Sequence, residues 1–140
     1  MPSLKPSIVA LLSAAGLLAV CVPASAHHSF AAEFDVNKPI ELVGTLTKVE
    51  WVNPHGWIYV DVVGKDGKVT NWGVEFGSPN ALLRRGLRKT DFPPGLKVTV
   101  KGYLAKSGKP VANASSVTLP DGRSLFAGSS NNPDARGGVQ

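Results

Sequence analysis

Between Ile40 and Leu119 the chain is cut into five short apolar stretches by turns rich in Pro, Gly, Asn and Asp, and this punctuation constrains the fold most. The stretches are IELVGTLTKVEWV (40–52), WIYVDVVG (57–64), VTNWGVEFG (69–77), LKVTVKGYLA (96–105) and VANASSVTL (111–119). Their two-residue alternation predicts strands, with Gly44 as a bend or bulge in the first. In the NPHG turn (53–56) Pro54 cannot donate to a strand ladder, and the KDGK turn (65–68) carries the Asp-Gly signal of a tight hairpin. The period changes once. Ser78 suits an N-cap, Pro79 the first helical position and Gly86 a C-cap, so a short helix is expected near Asn80–Arg85. Three strands, a helix and two strands is the order of an OB-like barrel. The expected fold class is therefore all-β: a small OB-like five-stranded barrel with one short helix between strands 3 and 4. Its core would take Ile58, Val60 and Val62, then Trp72, Val74 and Phe76, then Leu96, Val98, Val100 and Leu104. Leu82 and Leu83 of the helix would plug one end. RSLFA after the PDG turn would form a short extension.

The beginning of the chain has a different character. Lys5 is the sole charge before Glu33, residues 8–22 are apolar, and Ala24 and Ala26 supply small residues. This is the pattern of a signal peptide over 1–26, cleaved after Ala26. The apolar run is short for a membrane span and no second one follows. An uncleaved anchor and a lipid-bearing Cys21 are the alternatives, although Val20 suits lipidation poorly. Cleavage leaves 114 residues, His27–Gln140, enough for one small domain. It would comprise an irregular leader (27–39), the barrel (40–127) and a disordered tail (128–140) with almost no apolar side chains. The expected location is periplasmic or secreted.

Composition narrows the chemistry. Without Lys5, 14 basic residues stand against 10 acidic ones, a net of +4, and the LRRGLRK cluster (83–89) reads as a solvated surface. With export, this makes nucleic acid an unexpected partner. Cys21 and Met1 are the only sulfur residues, and both leave with the signal peptide. A transition-metal site would therefore use imidazole, amine, carboxylate or backbone groups, which suit Cu(II), Zn(II) or Ni(II) better than Cu(I).

All three histidines, His27, His28 and His55, enter one reading. Cleavage after Ala26 gives His27 a free α-amine, which can chelate a metal together with its own imidazole. His28 adds a second imidazole, and His55, in the first turn, is the distant ligand. A roughly planar set of nitrogens favours Cu(II) over tetrahedral Zn(II). Such a protein would hold or deliver metal. The other reading is a binding module. Trp57, Tyr59, Asp61, Asn71 and Glu75 are expected on the outer face of strands 2 and 3, where OB folds often bind ligands, here a sugar, peptide or protein partner. Asp61 and Glu75 could face each other there. No Ser-His-Asp, Cys-His or paired-carboxylate motif supports an enzyme.

HHSFAAEFD after the signal peptide, GTLTKVEWVNPH, GSPNALLRRG, PPGLKVTVKGYLAKSG and LPDGRSL together resemble a family of small secreted bacterial proteins, the domain of unknown function DUF6152. The resemblance covers nearly all of residues 27–126 and rests most on His27–Ser29 and Asn53–His55. It implies a periplasmic location and a compact β-rich fold, and no catalytic residues. The family pattern would place an aromatic after Gly86, where this chain has Leu87. Intact-mass analysis of the exported protein should give a chain beginning at His27; a start at lipidated Cys21 or at Met1 would remove the free-amine chelate.

Overall fold

A computed structural model of the chain describes residues 29–126. In chain order these form helix α1 (Ser29–Glu33), strand β1 (Phe34–Glu50), β2 (Trp57–Val63), β3 (Val69–Glu75), helix α2 (Pro79–Arg84), a 3-10 turn (Lys89–Asp91), β4 (Lys97–Ala105), β5 (Val111–Thr118) and β6 (Ser124–Phe126). The strands make one sheet in the order β3-β2-β1-β4-β5-β6. A further, parallel pairing of β3 with β5 joins Gly73 to Val111, Val74 to Ala112 and Glu75 to Asn113. The ladder β1-β2-β3-β5-β4 therefore returns to β1, and β6 lies on the remaining edge of β5.

Strand alternation turns one face of this ring inward. Ile58, Val60, Val74, Phe76, Val98, Val100, Ala114 and Val117 are buried together with Leu42 and Leu46. The bulge in β1 falls between Leu46 and Lys48, not at Gly44. Gly44 serves a close approach: a Cβ there would overlap the Asp61 carbonyl and the Val60 side chain of β2. In the Lys65–Lys68 turn Gly67 takes φ +77°, which glycine accepts without strain.

Four expectations are corrected. The segment 29–39 is ordered, not irregular. Phe30 and Phe34 are buried against Ala105 and pack on Tyr103 and Val111, forming a second small core outside the ring. This burial holds α1 and carries β1 back to Phe34, opposite Ala105 of β4. Leu83 is 48 % exposed, and Leu82 fills the ring with Leu87 and Phe92. Successive helical residues are about 100° apart, so one turn cannot bury both leucines against one core. Trp72 is half-buried at the core edge, as is Val62, and Leu104 is half-buried too. The extension is the short strand β6. His27, His28, the proposed cleavage site and the tail 128–140 lie outside the described residues.

Phe76, 3 % exposed, packs against Trp51 with ring centroids 5.7 Å apart. Phe76→Ala should therefore cost about 3–5 kcal/mol by denaturant unfolding, and Trp72→Ala distinctly less. An equal or larger loss for Trp72→Ala would contradict this packing.

Candidate functional site

Backbone bonds fix the turn between β1 and β2. The Gly56 carbonyl accepts from the Phe76 N–H at 2.9 Å, and the Gly56 N–H donates to the Gly77 carbonyl at 3.4 Å. A Cβ at Gly56 would overlap the Phe76 ring, so the turn lies directly on that side chain. Ser78 Oγ donates to Asn53 Oδ1 at 3.0 Å. The 53–56 turn is thus tied to the end of β3, and His55 falls beside Glu75. His55 Nδ1 is 2.8 Å from Glu75 Oε1 and donates a hydrogen bond to it.

Glu75 was expected on a solvated outer face. It does lie on that face, directly across from Trp57 in the β2–β3 register, but it is only 6 % exposed. The strand register explains its surroundings. Trp57, Glu75, Asn113 and Tyr103 form a row of neighbours across β2, β3, β5 and β4. His55 covers one side of the carboxylate. At the other end of the row, Phe30 of α1 stands edge-on to Tyr103 with centroids 6.0 Å apart. Asn113, fully buried, donates from Nδ2 to the same Oε1 at 3.4 Å. Burial pushes the Glu75 carboxyl above the usual carboxylate range; His55 opposes that rise, and the negative charge of Glu33 adds to it. Glu33, the last residue of α1, therefore lies within electrostatic reach of the pair.

Of the other expected binding residues, Asp61, Asn71 and Tyr59 already have side-chain partners. Asn71 Nδ2 donates to Asp61 Oδ1 at 2.7 Å and to Thr47 Oγ1 at 3.2 Å. Asp61 is opposite Asn71 in register, so it does not face Glu75. Tyr59 donates to Glu50 Oε2 at 3.3 Å and carries the Lys48 ammonium 5.2 Å from its ring centroid. Trp57 borders a cavity of about 320 Å³ whose other walls include Ala32, Glu33, Phe34, Ala105 and Val111. Asn113 and Glu33 were missed by sequence reasoning. The signal for Asn113 was an amide side chain between Ala112 and Ala114 in a strand of small residues.

A histidine with one ring nitrogen held by a buried carboxylate is an arrangement found at metal ligands and at general bases. Among the described residues no three His, Cys, Asp or Glu side chains form a metal-holding group. No helix among the described residues is long and apolar enough to cross a membrane.

Fold and site together define a small β-rich domain whose one sheet carries, on its outer face, a buried glutamate paired with a half-exposed histidine. The chain belongs to the family of unknown function DUF6152, whose model matches residues 14–114. No curated protein matches it.

The raised Glu75 pKa has a consequence for stability. The folded protein holds this proton to higher pH than the unfolded chain does. Its contribution to stability is thus full at low pH and is lost as pH rises through the raised folded value. Glu75→Gln lacks this titration. As pH rises above the usual carboxylate range the wild-type melting temperature should therefore fall relative to that of Glu75→Gln. Parallel profiles for the two proteins would show that Glu75 does not titrate differently on folding.

Proposed function

We propose that the protein is exported, that its ring is an OB-like barrel, and that it binds a divalent metal, Cu(II) foremost, with His27, His28 and His55 as ligands. The observation that carries this reading is the 2.8 Å contact between His55 Nδ1 and Glu75. With Nδ1 engaged, Nε2 is the nitrogen left to bind, on a side chain that is 33 % exposed. Metal-ligating histidines commonly donate their second N–H to a carboxylate, which fixes the ring and raises its basicity.

The course of the chain supports the same reading. If the leader left the ring at the far end of β1, His55 would be hard for it to reach. Instead β1 extends to Phe34, and α1 ends at Glu33, whose charge acts on Glu75. Ser29 precedes Glu33 by about 6 Å of helix rise, and His28 is the next residue back. The amine and imidazole of His27 would form a chelate that exists once the signal peptide has gone, in the periplasm or outside the cell. Held in this way, the metal suits a storage or delivery role. The alternative, a module for a sugar, peptide or protein, has Trp57 and its cavity in favour. It loses Asp61 and Asn71, which already serve each other, and Tyr59, which is held by Glu50 and Lys48.

In a Cu(II) titration of the mature protein, His55→Ala should weaken binding by about tenfold or more, equivalent to about 1.4 kcal/mol, and change the electron paramagnetic resonance spectrum. Metal should raise the melting temperature of the wild type by mass action. Unchanged affinity and spectrum in His55→Ala would confine any metal to the terminus and remove the three-histidine site.

A further inference from the structure

We propose that Asn113 is a positioning residue that, through Glu75, holds His55 in the tautomer with the proton on Nδ1 and the lone pair on Nε2. Asn113 is fully buried, although its strand position faces the outside of the ring. Packing gives no reason for asparagine there, since β-branched side chains suit strands better. Its hydrogen bond gives one: Nδ2 donates to Glu75 Oε1, the oxygen that also accepts from His55 Nδ1. A carboxylate with two donors on one oxygen has little freedom to rotate away from either.

The chemistry of the donor matters as well. A lysine or arginine at position 113 would neutralise Glu75. The amide of Asn113 anchors it and leaves its charge to act on the imidazole. In a neutral histidine the proton sits on the nitrogen whose hydrogen bond demands it. Glu75, as acceptor, demands it on Nδ1. The placement of Asn113 is itself rigid. It is paired on one side with Glu75 in the parallel β3–β5 ladder and on the other with Tyr103 of β4. β4 shifts register between Lys101 and Gly102 at this point, and a Cβ on Gly102 would overlap the Asn113 carbonyl. β4 thus runs tight against the backbone of the residue that orients the site.

The metal consequence rests on the function proposed above, whereas the tautomer does not, so two measurements separate them. The first uses the metal-free mature protein labelled with ¹⁵N at pH about 8. The His55 nitrogen shifts and their couplings to the ring protons should report Nδ1–H in the wild type. Asn113→Leu, close in size and unable to donate, should shift the population measurably towards Nε2–H, while the backbone amide spectrum stays native-like elsewhere. Asn113→Ser, smaller and able to donate, serves if the leucine variant fails to fold, and should retain Nδ1–H more fully than Asn113→Ala. The second measurement is Cu(II) affinity, expected to fall about tenfold in Asn113→Leu, within the range for residues that support a ligand from behind. A folded Asn113→Leu or Asn113→Ala with the wild-type tautomer ratio overturns the proposal. A shifted tautomer with unchanged Cu(II) affinity upholds the positioning role and overturns the metal reading.

Discussion

The Glu75 carboxylate, withdrawn from water on the outer face of a sheet, is the constraint on which the arrangement around it depends. A buried anion is costly unless donors surround it. Two donors meet it here, His55 Nδ1 and Asn113 Nδ2, and they come from segments far apart in the chain. Among the described residues no buried side-chain nitrogen or oxygen lacks a hydrogen-bond partner. The 53–56 turn lies on one side of the carboxylate, through His55. A fold needing only stability would place an apolar residue at position 75, as replacing buried ionic groups with well-packed apolar ones is often neutral or stabilising. Retaining the acid therefore points to a use for the imidazole it holds.

Two features of the backbone make this possible. The parallel pairing of β3 with β5 brings Asn113 beside Glu75 and joins the two ends of the sheet. The unusual length of β1, 17 residues, carries the chain from that joint at Phe34 to the turn before β2. One strand thus links both parts of the proposed metal site, at its start through α1 and at its end through His55. The aromatic pairs flanking it, Phe30 with Phe34 and Trp51 with Phe76, anchor each end by packing.

Local chemistry made much of the fold legible in the sequence. Alternation marked β2, β3, β4 and β5, and Asp66–Gly67 and Ser78–Pro79 marked a hairpin and a helix start within a residue or two. The start of β1 was not legible, because Asp35, Asn37 and Pro39 give the segment the composition of a loop. What holds it in the sheet is the burial of Phe34 and Phe30 against β4 and β5, a contact across some 70 residues. Leu83 and Trp72 were apolar at plausible positions, yet the core had room for Leu82 and for part of the indole alone. In the site, His55 stood out as a turn histidine. Glu75 was visible as an outward acid, but its burial depends on the fold of the 53–56 turn onto the end of β3, and its partnership with Asn113 on a parallel pairing that no local pattern announces.

The central claim is that the start of the mature chain and the 53–56 turn share one metal ion. It is tested most directly by adding substoichiometric Cu(II) to the ¹⁵N-labelled mature protein and following paramagnetic loss of backbone amide signals. The account predicts that Gly56, Trp57 and Glu33 lose intensity together with the residues next to His27 and His28, at the same metal ratio. Loss confined to the N-terminal residues, with Gly56 and Trp57 untouched, would contradict it.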